Sequence, residues 1–124
     1  MKIVLADREA ELMEILWEHG PSTVAEVRAR LNDELAYTTV LTILRNLESK
    51  GYIGHEGEGR AHRFSPVIGR ESAQRSALRH LAAKLFSGST SLLLTQLISD
   101  KALTDEEIAC VRRLLSQRER GGKP

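Results

Sequence analysis

The sequence predicts a mostly α-helical protein that carries one small β-hairpin. Apolar residues recur every three or four positions along most of the 124 residues, which is the spacing of amphipathic helices. The pattern changes only between about residues 52 and 64, where two short runs flank a glycine-containing turn. Aromatic residues make up 4% of the chain, so the core should be mostly aliphatic.

The first two helices are predicted from the signals at their ends. Asp7 is a good N-cap residue, an apolar stripe follows over residues 12–17, and Gly20-Pro21 stops the helix. Thr23 and Glu26 then have the spacing of a capping box, which predicts a second helix that ends by about residue 32.

A third helix is predicted from about Ala36 to Lys50, with Gly51 closing it. At about 100° per residue its apolar side chains fall on one side, with Leu41 at the margin. The opposite side, which we call the polar sector, spans about 120° and consists of Thr38, Thr39, Thr42, Arg45, Asn46 and Ser49. It contains no acid and no large apolar residue, whereas a face that only meets solvent usually mixes Glu with Lys.

After Gly51 the pattern becomes that of a hairpin. Residues 52–55 and 60–64 are predicted as short strands joined by a turn over residues 56–59, and Pro66 ends the unit. The order of three helices and a hairpin is that of a winged helix-turn-helix, in which the third helix enters the major groove of DNA. We therefore expect a DNA-binding domain over residues 1–66.

Short polar side chains suit a groove-facing helix. Threonine can bond base edges or phosphates, Asn46 can pair with adenine, and Arg45 can pair with guanine or hold a phosphate. The expected DNA-binding residues are Tyr37, Thr38, Thr39, Thr42, Arg45 and Asn46 on the helix and Arg60, His62 and Arg63 on the hairpin. The alternative is that the threonines merely cover a solvent-facing surface and that Arg60 and Arg63 are ordinary solvated charges.

Residues 67–124 return to helical spacing and are expected to form a helical dimerisation domain. They contain several apolar stripes but are too few to bury them well alone, and the helix over residues 92–98 is apolar almost all round. A two-fold interface would cover these stripes; folding back on the N-terminal domain is the alternative. The expected dimerisation residues are Leu78, Leu81, Leu85, Leu92, Leu93, Leu97, Ile108, Val111, Leu114 and Leu115.

Charge and composition narrow the function classes. Residues 1–66 hold 8 basic and 11 acidic side chains, which is unusual for a DNA-binding half. We find no catalytic motif, no phosphate-binding glycine loop and no cofactor signature, so we expect no enzyme. No apolar run is long enough for membrane insertion and no signal peptide is recognisable, which predicts a cytoplasmic protein.

The single cysteine and two of the histidines are the remaining candidates for a redox or metal site. Cys110 lies among Ile108, Val111 and Leu114 in the sequence and is expected to be a small buried residue rather than a redox sensor. A metal site from His55, His62 and a nearby Glu is conceivable, but scattered histidines more often lie on the surface or contact phosphate. We therefore expect no bound metal.

Several segments resemble the penicillinase, methicillin-resistance and copper repressors of the BlaI/MecI/CopY family. Residues 36–47 (AYTTVLTILRNL), followed by Lys50-Gly51-Tyr52, are similar to that family's recognition helix. Residues 9–17 (EAELMEILW) resemble its first helix, and residues 59–66 (GRAHRFSP) resemble its wing. The segments SLLL and LTDEEI, further along the chain, resemble its dimerisation helices.

The resemblance implies a homodimeric repressor on an inverted repeat of the TACA…TGTA type. It also implies release by a membrane sensor protease or an unknown inducer. Antibiotic-responsive relatives are cleaved at an Asn-Phe bond where this chain has Thr95-Gln96, and copper-responsive relatives carry Cys-x-Cys motifs where it has only Cys110. The competing hypothesis is a winged-helix protein-interaction module that does not bind DNA.

Overall fold

The computed structural model describes residues 2–58, 62–100 and 103–121. The predicted fold class, mostly helical with one small hairpin, is confirmed. The elements in chain order are α1 (Asp7–His19), α2 (Val24–Arg30), α3 (Tyr37–Ser49), β1 (Ile53–Glu56), β2 (Arg63–Pro66), α4 (Arg70–Leu85), α5 (Thr90–Ser99) and α6 (Asp105–Gly121). Two compact units divide the chain, Met1–Leu78 and Arg79–Pro124.

The core of the first unit is built from the apolar stripes of α1 to α3 and from the hairpin. Its fully buried side chains include Leu12, Met13, Leu16, Val27, Val40, Leu44, Leu47 and Phe64. Ile43 and Leu41 are half-buried at the edge of the α3 stripe. The predicted apolar side of α3 therefore packs inward, and burial of these side chains is the main force that holds the helix in place.

The helix starts differ from the prediction at one place. Ala6, not Asp7, occupies the N-cap of α1, and Asp7 is the first helical residue. The cap is supplied from inside the helix, because Glu9 Oε1 accepts a hydrogen bond from the Ala6 amide at 2.9 Å. The capping box predicted at Thr23–Glu26 is present, and Thr104 and Glu107 form a second one at the start of α6, each with hydrogen bonds in both directions.

The hairpin begins and ends later than the sequence pattern indicated. β1 and β2 pair antiparallel from Ile53 opposite Pro66 to Glu56 opposite Arg63. Pro66 is thus the last residue of β2 rather than a residue beyond it, at a strand end where a missing N–H is tolerated. The other edge of β2 is bonded to the segment before α2, since the Ser22 and Phe64 amides each donate to the other's carbonyl, at 3.0 and 2.8 Å.

The second unit contains the end of α4 and the helices α5 and α6. Leu93 is buried within this unit, whereas most of its other leucines are exposed. Cys110 is exposed, so the expectation of a buried cysteine was wrong. No residue of α6 that the structure describes is buried, so this helix offers Cys110 no core to enter.

Candidate nucleic-acid interface

The outward side of α3 is a continuous polar surface. Tyr37, Thr38, Thr39, Thr42, Arg45 and Asn46 are all exposed. On the opposite side of the same helix, Val40, Leu44 and Leu47 are completely buried. The helix therefore brings the five polar-sector residues among them to one accessible face, at a fixed rotation set by its core side chains. Tyr37 is exposed at the start of the helix, about 80° outside that sector.

The C-terminal end of α3 is fixed by an ion pair that the sequence did not reveal. Lys50 Nζ lies 2.8 and 2.9 Å from the two carboxylate oxygens of Glu9, on α1. Glu9 is only 7% exposed, and it also accepts the bond from the Ala6 amide. A buried carboxylate held by a cation and an amide ties the first turn of α1 to the end of α3.

Glu9 is buried, and yet its pKa is lowered. Burial works to raise its pKa, but the hydrogen bond and charge of Lys50, together with the Ala6 amide, outweigh burial and hold the pKa below its ordinary value. The folded state therefore prefers the ionised carboxylate, so protonation of Glu9 should weaken the attachment of α3.

This preference predicts acid-sensitive stability. Because the pKa of Glu9 is lowered on folding, its contribution is fully present above the unfolded value of about 4.5 and is lost as the pH falls through the folded value. The Tm gap between the wild type and Glu9→Gln, measured by circular dichroism, should therefore narrow from pH 7 to pH 3. Asp33, whose pKa is lowered by the hydrogen bond from Arg8, is common to both proteins and cancels in the difference. A gap that stays constant would contradict the prediction.

One threonine of the polar sector is bonded to its own helix. The Thr42 hydroxyl donates to the Thr38 carbonyl oxygen one turn earlier, at 2.9 Å. Among the residues that the structure describes, the hydroxyls of Thr38 and Thr39 donate to no protein atom. The three threonines therefore differ in the group that each can offer to a ligand.

The hairpin residues expected at DNA are placed in different ways. His62 is half-buried, with its ring centroid 4.5 Å from that of His55. Arg63 is exposed, but its guanidinium is bonded to Glu26 Oε1 at 2.8 Å and so ties β2 to α2. Arg60 lies outside the described residues. In the described part of the chain, no three His, Cys, Asp or Glu side chains come together as metal ligands.

Ion pairing accounts for much of the acidic charge of the N-terminal half. Arg8 bonds both Glu11 and Asp33, and Lys50 bonds Glu9. The remaining pairs are His55–Glu48, Arg63–Glu26 and Arg70–Glu14. Five of the 11 acids are therefore paired with Lys or Arg, and the polar sector carries the positive charge of Arg45 alone.

The residues expected at a dimer interface are largely exposed apolar side chains. Leu78, Leu81, Leu85, Leu92, Leu97, Leu114 and Leu115 are between 39% and 67% exposed. Ile108 and Val111 are half-buried, and Leu93 is buried within its own unit. Leu94 and Ile98 are exposed to a similar degree, but they are not among the expected dimerisation residues. The apolar residues around almost the whole of α5 are the sequence feature that would have added them.

Comparison with known proteins supplies the family. The family model described as penicillinase repressor matches residues 5–117. The chain belongs to this family. A transcriptional regulator BlaI from Mycobacterium tuberculosis is 34% identical over 121 residues, which cover 94% of this chain and 86% of the relative. A penicillinase repressor from Bacillus licheniformis is 24% identical, over 91% of this chain and 90% of the relative.

Solved structures support the fold of this penicillinase repressor family member. RV1404 from Mycobacterium tuberculosis has a TM-score of 0.54 at 16% identity, over 97% of this chain and 76% of that one. A MarR family protein from Bacillus stearothermophilus has a TM-score of 0.50 at 18% identity, over 96% and 76%. The predicted winged helix is thus confirmed, and the chain is a transcription regulator of that fold.

Within residues 2–58, 62–100 and 103–121, no single helix is long and apolar enough to cross a bilayer. Only α4 and α5 taken together, as a bent pair, satisfy the length and composition criteria.

Proposed function

We propose that this repressor acts as a homodimer that binds a palindromic operator of the TACA…TGTA type and thereby blocks transcription. The observation that carries the proposal is the outward side of α3, which is exposed, free of acids and backed by a fully buried stripe. A helix with these properties fits the major groove, where hydroxyl, amide and guanidinium groups pair with base edges.

The polar sector supplies the contacts in this proposal. Arg45 and Asn46 have the side chains for two-point pairing with guanine and adenine, and Thr38 and Thr39 suit bases or phosphates. Tyr37, at the first turn of α3, would lie beside the backbone. His62 and the hairpin turn would flank the duplex, while Arg63 would act chiefly by holding the hairpin against α2.

Dimerisation is inferred from the exposed leucines of the helical region after residue 66. Burying a leucine side chain is worth about 1.5–3 kcal/mol, so the exposed apolar surface of these seven leucines favours association. A two-fold dimer would cover this surface and match the symmetry of a palindrome. We assign DNA binding to residues 1–66 and dimerisation to residues 67–124.

Fluorescence anisotropy tests the proposal directly. A labelled TACA…TGTA palindrome is compared with a scrambled duplex of equal composition over a series of salt concentrations. We expect tighter binding to the palindrome at every salt concentration, with two chains on each duplex. Equal binding to both duplexes, lost together as salt rises, would overturn this operator, and selection from random DNA would then show whether any sequence is preferred.

A repressor also needs a signal that releases it from its operator. The family resemblance places Thr95-Gln96 at the position expected for an Asn-Phe cleavage bond, so we propose that a sensor protease acting elsewhere or an unknown inducer releases the repressor. Incubating the repressor–operator complex with extracts of induced cells and following chain length by mass spectrometry distinguishes these routes. A shortened chain indicates a protease, and an intact but released chain indicates a ligand.

A further inference from the structure

We propose that Thr42 contacts a thymine of the operator through its methyl group and not through its hydroxyl. This inference rests on the proposed function, because it assigns a specific role to one residue of the polar sector. Thr42 is exposed on α3, and its hydroxyl donates to the Thr38 carbonyl oxygen at 2.9 Å.

The hydrogen bond determines which group of Thr42 is available. A threonine hydroxyl has a single proton, and here that proton is already donated within the helix. The methyl group is the other branch at the tetrahedral Cβ, so it diverges from the hydroxyl that turns back onto the helix. Donation to a base would first require this bond to be broken, whereas a methyl contact leaves it intact. The hydroxyl oxygen can still accept a hydrogen bond, and the Thr42→Val variant removes that acceptor while it keeps a methyl group.

The major groove offers a matching apolar group. The C5 methyl of thymine is the one apolar marker on a base edge there, and threonine methyls are among the groups that contact it. Excluding water between two methyl groups is worth roughly one buried CH₂, which corresponds to about fourfold in affinity for each half-site. Thr38 and Thr39 would instead use their hydroxyls, so consecutive turns of α3 would distinguish bases by different chemistry.

Two substitutions separate the methyl from the hydroxyl. Thr42→Val keeps a methyl branch and removes the hydroxyl, whereas Thr42→Ser keeps the hydroxyl and removes the methyl. Thr, Val and Ser have similar helix propensities, and the position is exposed, so both variants should fold. Matched circular dichroism melts check this. The DNA is varied in parallel by replacing each thymine of the selected operator with deoxyuridine, which lacks only the C5 methyl.

The expected result is a coupling between one thymine and Thr42. At that thymine, the wild type and Thr42→Val should each lose about fourfold per half-site on the deoxyuridine operator. Thr42→Ser should already bind the thymine operator about fourfold more weakly and lose nothing further on deoxyuridine.

The opposite result is equally clear. Loss of binding in Thr42→Val with wild-type binding in Thr42→Ser, or no thymine coupled to Thr42, would overturn the methyl contact. Either result would leave the repressor itself intact, because the wild type would still prefer its operator. Failure of the wild type to select any sequence would instead overturn the proposed function, and this inference with it.

Discussion

Replacing Leu114 with aspartate should convert the repressor to a monomer and abolish stable operator binding. Leu114 is 58% exposed on α6 and belongs to the surface that we assign to the dimer. Each aspartate removes a leucine that the dimer would bury and places a charge in an apolar interface, at a cost of about 3 kcal/mol or more in the free energy of dimerisation. Because the dimer is two-fold symmetric, the substitution occurs twice in the interface and its cost is doubled. The dissociation constant of the dimer should therefore rise by about four orders of magnitude.

Loss of the dimer would also separate the two half-site contacts. Operator affinity should fall by at least about 100-fold, because the second contact would no longer be intramolecular. Analytical ultracentrifugation and anisotropy on the same samples measure both effects. Ser116→Asp is the matched control, since it adds the same charge to the same helix about 200° from Leu114. A Leu114→Asp variant that remains a dimer at wild-type affinity would exclude this surface as the interface.

The second large effect is expected from Arg45→Ala. Among the described residues Arg45 makes no hydrogen bond or ion pair, so its removal should cost no stability. If it pairs with a guanine, each half-site should lose about 1–3 kcal/mol, or about 5- to 150-fold in affinity, and the base preference at that position should relax. Anisotropy across single-base operator variants measures both changes.

Two further variants distinguish a guanine contact of Arg45 from a general effect of its charge. Arg75→Ala removes the same charge from an exposed position on α4 and should leave binding nearly unchanged. Arg45→Lys keeps the charge but not the planar fork, so it should rescue a phosphate contact and not a guanine contact. Wild-type affinity and base preference in Arg45→Ala would contradict a groove position for this helix face and favour a module that does not bind DNA.

The features that could be predicted from sequence are those set by nearby residues. The two sides of α3 follow from its helical period, and the starts of α2 and α6 follow from capping boxes whose two members are three positions apart. The period alone does not give burial, because Cys110 was predicted to be buried beside apolar residues of α6, and no residue of α6 that the structure describes is buried.

The features that escaped prediction depend on contacts between distant segments. The Glu9–Lys50 pair joins residues 41 positions apart, and the Arg63–Glu26 bond joins residues 37 positions apart. Neither leaves a local pattern, because an acid in a first turn and a base at a helix end are ordinary in any helix. The predicted bounds of the two strands were wrong for a related reason, because the pairing register depends on the turn geometry and not on strand composition alone.

The pairing of Ser22 with Phe64 has a consequence for the motions of the hairpin. Both residues are buried, and each amide is bonded to the other's carbonyl across 42 positions of chain. Their amide protons cannot reach solvent by fraying of the hairpin alone, because Phe64 must first leave the core. Native-state hydrogen exchange at these two amides should therefore report the same opening free energy as Leu44 in α3. The hairpin and α3 would then open as one cooperative unit, and the chain segment between Ser22 and Phe64 would close late in folding.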